Sequence, residues 1–401
     1  MKKLVAILLA LAMVLTFVGC SGSGSDTTDD TAAENKDPIV IGSIQDLTGG
    51  ASGPGKANAW GAEYAVKVIN ENGGINGREL QIVTLDCQND AEVGVTAYRK
   101  LVDEYNVCAI IGPPLSNPAS AWVELATEDQ VPIVGHFMDE VCTTNPDTGE
   151  AYPYMFLAEP SCSVQSYILA EYAMKELNIK TVATLYNTSN AFAAAHEAPF
   201  VEYINNNGGQ TLAEETFTWA DQDYSAQAQK IAGLKPDAVF LSDYAAQMKI
   251  AYDNLRDAGY EGIILGANTL GGQFASMVAN EVKDCYFVQN YDFYEEGSMV
   301  KTLVDMWSKE GNVDYPVCNA CFGWDAVQVL VNAMKQAKDP TDGAELRDLL
   351  ENNTKDVELS HGTITIDPAT HRPTRDMGMY IAIHKDGKTP VVTYMTSDYN
   401  S

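Results

Sequence analysis

Val107–Trp122 reads VCAIIGPPLSNPASAW, and the parsing of this stretch decides the fold. Val107–Ile111 is a run of small and β-branched residues with no polar alternation, the pattern of a strand buried on both faces of a parallel sheet. Gly112-Pro113-Pro114 stops it, and Pro118-Ala119-Ser120 opens a helix. Ser116 and Asn117 fall between the two. A hydroxyl and an amide at the carboxyl end of a parallel strand and the amino end of a helix suit a small anionic group. The competing reading is that they only cap the helix.

Outward from this unit, strands and helices alternate. On the N-terminal side come a strand at 38–44, a glycine-rich loop through Gly55, a helix from Asn58 to Asn70, a strand at 79–86 and a helix at 90–105. A fourth strand follows at 131–137. From Thr181 the order restarts, with strands at 181–186, 211–217, 238–242 and 262–266 and helices at 191–206, 224–234 and 246–258. A third part holds a strand at 285–290 and helices at 298–310, 321–337 and 343–352. It ends in strands at 362–366, 379–384 and 391–394, with Asp386-Gly387 as the last turn. This alternation predicts an α/β protein of two lobes, each a parallel sheet covered on both faces.

The N-terminus reads as an export signal. Met1-Lys2-Lys3 is basic, and Leu4–Val18 is apolar but too short to span a bilayer comfortably, so residues 1–19 form a signal peptide. Phe17-Val18-Gly19-Cys20 resembles a bacterial lipobox with Phe at the usual Leu position. Cys20 is then the lipidated first residue of the mature chain, and 20–37, rich in Ser, Gly, Thr and acid, is a disordered tether. The formal charge of the full sequence is −30, and loss of Lys2 and Lys3 makes the mature chain more negative. Such a surface excludes nucleic acid and repels anionic headgroups. No later apolar segment is long enough to span a membrane.

Enzyme signatures are missing. His136, His196, His361, His371 and His384 lack metal-ligand spacing, and no GxSxG or HExxH occurs. Gly49–Gly55 is neither GxGxxG nor a Walker A motif, so no cofactor is expected. Cys318 and Cys321 form a CxxC with no second pair to complete a zinc site. Seven cysteines follow Cys20, leaving at least one free thiol or an intermolecular pair. Cys142–Cys162, which would close a loop, is the favoured bridge.

Four stretches carry a family resemblance: IGSIQDLTGG (Ile41–Gly50), WGAEYAVKVINENGGINGREL (Trp60–Leu80), DAVFLSDY (Asp237–Tyr244) and FGWDAVQVLVNAMKQA (Phe322–Ala337). Together they resemble the substrate-binding proteins of branched-chain amino-acid ABC importers, over roughly Pro38 to Tyr394. The resemblance implies a type I periplasmic-binding-protein fold, two Rossmann-like lobes joined by three crossovers. Lobe 1 would be 38–157 plus 291–366, and lobe 2 would be 158–290 plus 367–401. It implies a monomer that closes on a small polar ligand and hands it to a permease and ATPases encoded as separate chains. It implies a place on the outer face of the cell membrane, on the periplasmic side if there are two membranes. A ligand-sensing receptor is the rival use of this fold, disfavoured because no signalling segment follows Tyr394.

The resemblance adds Cys87–Cys108 as a second candidate bridge, since some family members join a cysteine after the second strand to one near the third. It also implies a ligand set. Ser116 and Asn117 stand where a hydroxyl meets the ligand carboxylate, and Met138 and Asp139 where that site is completed. Phe192 and Tyr244 stand at aromatic lid positions. Asn268 stands where amino-acid binders usually carry an acid for the ligand ammonium. A buried ammonium without an anion is strongly disfavoured. Either Asp139 or Asp243 supplies the charge, or the ligand is an amide, a carboxylate or an aromatic acid without an amine.

Overall fold

A computed structural model describes residues 36–278, 284–374, 377–384 and 389, and the backbone of 391–395. The signal peptide, Cys20, the tether to residue 35 and the Asp386-Gly387 turn lie outside the described residues.

The first sheet arises from residues 39–157. Its elements are β1 (Ile39–Gln45), α1 (Ser52–Glu71), β2 (Leu80–Asp86), α2 (Ala91–Asp103), β3 (Ile110–Ile111), α3 (Ser116–Ala119), α4 (Val123–Asp129), β4 (Ile133–Gly135) and β5 (Met155–Leu157). All ladders are parallel and the strand order is β2-β1-β3-β4-β5. Ile110 and Ile111 are fully buried, as a central parallel strand covered on both faces requires.

The second sheet follows after α5 (Cys162–Lys175). Its elements are β6 (Thr181–Asn187), α6 (Ala191–Asn206), β7 (Gln210–Phe217), α7 (Ser225–Leu234), β8 (Ala238–Ser242), α8 (Ala245–Asp257), β9 (Ile263–Gly266), α9 (Gly272–Val278) and β10 (Cys285–Gln289). Its parallel part runs β7-β6-β8-β9-β10, the same order as the first sheet. Each lobe is therefore one doubly wound unit whose strand order reverses once.

The chain then returns to the first lobe through α10 (Met299–Glu310), α11 (Asn319–Gln336) and α12 (Gly343–Asn353). Two small hairpins follow, β11 (Val357–Glu358) with β12 (Thr363–Ile364), and β13 (Ile366–Asp367) with β14 (Arg372–Pro373). Last, β15 (Met379–Ile383) and β16 (Val391–Met395) add antiparallel edges beside β10.

The join between α11 and the first lobe is backbone against backbone. A Cβ on Gly61 of α1 would meet Ala320 O at 2.0 Å, and one on Gly323 of α11 would meet Asn58 O at 1.9 Å. Only glycine admits this approach. It lets α11, nearly all of whose first four turns are buried, cover the sheet.

Three expectations are corrected. The helix placed from Asn58 begins at Ser52, because its first turn rests on the loop after β1: a Cβ on Gly55 would sit 1.8 Å from Asp46 O. The run at 107–111 contributes only Ile110–Ile111 to the ladders, although Cys108 N still donates to Val40 O at 3.0 Å. The cysteines of the described chain are free, so neither expected bridge is present. Cys142 Sγ faces Ser116 O at 3.5 Å and Cys162 Sγ faces Phe192 O at 3.8 Å, each thiol spent on a backbone carbonyl.

Candidate functional site

In each sheet the strand order reverses beside the first strand, between β1 and β3 in one lobe and between β6 and β8 in the other. Loops leaving those strands diverge there and open a crevice at their carboxyl ends. The two crevices face one another across a cavity of about 530 Å³. Gly50–Pro54, Leu115 and Met138 form one wall, and Phe192, Tyr244 and Asn268 form the other. Asn290 and Phe293, which follow β10, line it too, with Phe322 of α11, Trp307 and Tyr315.

Both lobes hold an aspartate directly behind the cleft, and both are consumed by their own loops. Asp46, after β1, accepts from Gly49 N at 2.5 Å and Ala51 N at 2.7 Å. Asp243, after β8, accepts from Asn187 Nδ2 and Asn190 Nδ2 at 2.7 Å and from Tyr244 N at 2.8 Å. Burial pushes the Asp243 carboxyl above the usual range, while the two amides and the Tyr244 N–H pull it back. Burial also raises the Tyr244 phenol.

Of the seven sequence-derived ligand residues, the structure brings Met138, Phe192, Tyr244 and Asn268 to the cavity. Phe192 and Tyr244 stack with ring centroids 6.1 Å apart. Ser116, Asn117 and Asp139 are outside its lining. Asp139 N donates to Ser116 Oγ at 3.2 Å, and Asp139 Oδ1 accepts from Val141 N at 3.2 Å. Burial raises the Asp139 carboxyl. Asn117 reaches across to the other lobe: its Oδ1 accepts from Ala191 N at 3.1 Å and its Nδ2 donates to Ser189 O at 3.3 Å. It thereby satisfies the first amide of α6, while Asn190, the residue before that helix, makes no side-chain cap and gives its Nδ2 to Asp243.

Among the described residues that line the cavity there is no Asp, Glu, His or Arg, and Lys56 is the one charged side chain. The wall is aromatic and amide-rich, suited to an apolar body with one or two polar ends. His136 lies behind it, stacked on Phe322 at 4.6 Å and lowered by burial to about 3.

Several contributors carried no motif. Asn290 links Asn268 to the buried carboxyl of Glu159: Asn268 Nδ2 donates to Asn290 Oδ1 at 3.0 Å, and Asn290 Nδ2 donates to Glu159 Oε2 at 2.8 Å. Nearby, Asp325 accepts from Tyr291 Oη at 2.9 Å and from Ser360 N and Oγ, and burial lifts it to about 7. Glu140 receives Arg372 at 2.6 Å, together with the Ser161 and Ser163 hydroxyls. Burial alone would raise Glu140, but these partners hold it below its ordinary value. The one available signal was position, since Glu159 and Asn290 sit at two expected crossovers. No metal-binding group of three or more His, Cys, Asp or Glu occurs among the described residues. No described helix is long and apolar enough to cross a membrane.

Comparison with known proteins agrees with this geometry. The Leu/Ile/Val-binding protein homolog 3 of Brucella melitensis is 24% identical over 82% of this chain and 86% of its own length. The branched-chain amino acid transporter substrate-binding protein LivJ of Streptococcus pneumoniae, solved with isoleucine, is 26% identical. It superposes with a TM-score of 0.77, covering 90% of this chain and 99% of its own. A solute-binding protein of an ABC transporter from R. palustris, solved with benzoate, shares the fold at TM-score 0.77 and 19% identity, over 90% of this chain and 96% of its own. The family model for periplasmic binding proteins matches residues 38–388, so the chain belongs to that family of two-lobed solute-binding proteins.

Proposed function

We propose that this protein is the receptor of an ABC importer, capturing a branched-chain amino acid between its lobes and presenting it to a separate permease and its ATPases. The observation that carries this reading is the cleft itself, formed where two sheets of identical strand order face each other at their switch points. A ligand touching both walls stabilises the closed arrangement over the open one by its differential affinity, and a permease that reads closure reads occupancy. Phe192, Tyr244 and Met138 pack the aliphatic body, while Asn268 takes the polar end. The carboxylate meets the Ser52 hydroxyl and the Gly53 N–H at the start of α1, beside Lys56. Ser116, Asn117 and Asp139 act from behind the wall, holding the loops in place. The enclosing chain does no covalent chemistry on the ligand. Export by residues 1–19 and lipid anchoring at Cys20 would place the receptor on the outer face of the membrane as a monomer.

The test is a thermal-shift screen of the protein with leucine, isoleucine, valine, small amides and aromatic acids, since a ligand bound only to the folded state raises the melting temperature. Stabilisation by the aliphatic amino acids supports the proposal. A response confined to compounds without an amine favours a second reading, a carboxylate or amide ligand, for which the lack of any acid in the cavity lining speaks.

A further inference from the structure

A zwitterionic ligand brings an ammonium into a cavity whose lining offers no carboxylate. Charge of that kind is strongly disfavoured in a desolvated site unless an anion compensates it. Asp46 and Asp243 are spent on their own loops, and Asp139 caps the turn that follows it. One buried carboxyl remains connected to the cavity by hydrogen bonds. Asn268 and Asn290 both line the cavity, and the chain Asn268 Nδ2 to Asn290 Oδ1, then Asn290 Nδ2 to Glu159 Oε2, runs from its wall to Glu159. Both amides point the same way, N–H toward Glu159 and carbonyl toward the cleft. Aligned amides polarise one another, so negative charge on Glu159 strengthens the carbonyl at the far end as an acceptor.

Glu159 is itself anomalous. Its side chain is 1% exposed, and its Oε1 is buried with no hydrogen-bond partner in the described structure. Among the described residues, Asp325 on α11, the Cys318 thiol, the Cys162 thiol of α5 and the Tyr291 phenol lie within electrostatic range of it, and no cation acts on it. Burial, and then the Asp325 charge, push its carboxyl well above the ordinary range, which favours the protonated form in the empty protein.

Building on the amino-acid reading, we propose that Glu159, acting through Asn290 and Asn268, is the counter-charge for the ligand ammonium, a specificity-determining residue set behind the cavity wall. When the ammonium docks on Asn268 Oδ1, the carboxyl O–H of Glu159 ionises, its electron pair stays on oxygen and the proton goes to bulk water. Binding of an amine-bearing ligand is therefore coupled to release of a proton. Affinity rises with pH below the free-state ionisation of Glu159 and levels off above it. An amine-free analogue shows neither effect.

The experiment is calorimetric titration of the protein with leucine and with 4-methylpentanoate, the same skeleton without the amine, in two buffers of different ionisation enthalpy. Wild type, Glu159→Gln and Asp325→Asn are compared. Leucine binding to wild type is expected to release up to one proton, and 4-methylpentanoate none. Glu159→Gln is expected to abolish the release and weaken leucine by about tenfold or more while leaving 4-methylpentanoate unchanged, which also shows the variant folded. Asp325→Asn keeps the coupling but moves its pH dependence lower, because a repelling neighbour is gone. Leucine bound equally by wild type and Glu159→Gln, with equal proton release, overturns the assignment and leaves the amino-acid reading intact. Release lost in Asp325→Asn alone assigns the proton to Asp325 and likewise overturns it. Wild type that binds no amino acid overturns both.

Discussion

The two lobes share a strand order but build their halves of the cleft by different means. In the first lobe the switch-point loop is nearly all backbone: Asp46 gathers the amides of Gly49 and Ala51, and glycines let α1 lie on the loop and on α11 without intervening side chains. In the second lobe side chains do the work, with the buried Asp243 clamping the buried Asn187 and Asn190 amides and the Tyr244 N–H. One wall is therefore shaped by close approach and the other by polar satisfaction. Both spend their acids internally, and this leaves the cavity without a carboxylate of its own.

That contrast can be broken at each side. Gly323→Ala is expected to be the most damaging single change, since the added Cβ would sit 1.9 Å from the Asn58 carbonyl. Overpacking against backbone that cannot yield costs about 3 kcal/mol or more, read as a lower denaturant midpoint in urea. Asp243→Ala should cost somewhat less, about 2 kcal/mol, because two buried amides lose their acceptor. It should also weaken ligand binding, as the Tyr244 backbone is no longer held.

Asp325 gives a smaller effect with a definite sign. Its folded-state carboxyl is raised to about 7 from an ordinary 3.8, so the folded protein holds a proton there that the unfolded chain has released. Stability from this group is fully present below the unfolded value and is lost as pH rises toward about 7. Asp325→Asn should flatten that part of the stability profile, as measured by urea unfolding across the interval. An unchanged slope would remove Asp325 as its cause.

Asn117→Ala should have the mildest effect. It removes the bond to the first amide of α6 across the cleft, worth about 1 kcal/mol as a helix cap. Because that bond exists only when the lobes approach, the loss should shift the ligand-free protein toward an open form, seen as a larger radius in small-angle scattering. Overall stability should fall by no more than about that amount.

The sequence disclosed the architecture wherever a strand or helix had a clean period or clear punctuation. β8 and α6 were read at their observed bounds, and the restart of alternation at Thr181 exposed a second lobe. It was least informative where apolar residues surround an element on all sides. α5, Cys162–Lys175, is buried on several faces and offers no amphipathic stripe, while β5 is three residues long and α9 seven. In the cleft, the family resemblance rather than local pattern pointed to Phe192, Tyr244 and Asn268, and these three line the cavity. What the local pattern hid was the direction in which side chains turn. Asn117 looks like a cap for its own helix and instead caps α6 of the other lobe. Asp243 looks like a free charge and is fully engaged. Glu159 and Asn290 are 131 positions apart and meet only because two crossovers run side by side.

The measurement that bears most directly on the central claim is calorimetric titration of isoleucine into the protein near neutral pH. The account predicts saturable binding of one ligand per chain, with Kd of about 1 µM or tighter, weakened by Asn268→Leu. Absence of binding by isoleucine, leucine and valine alike would contradict it.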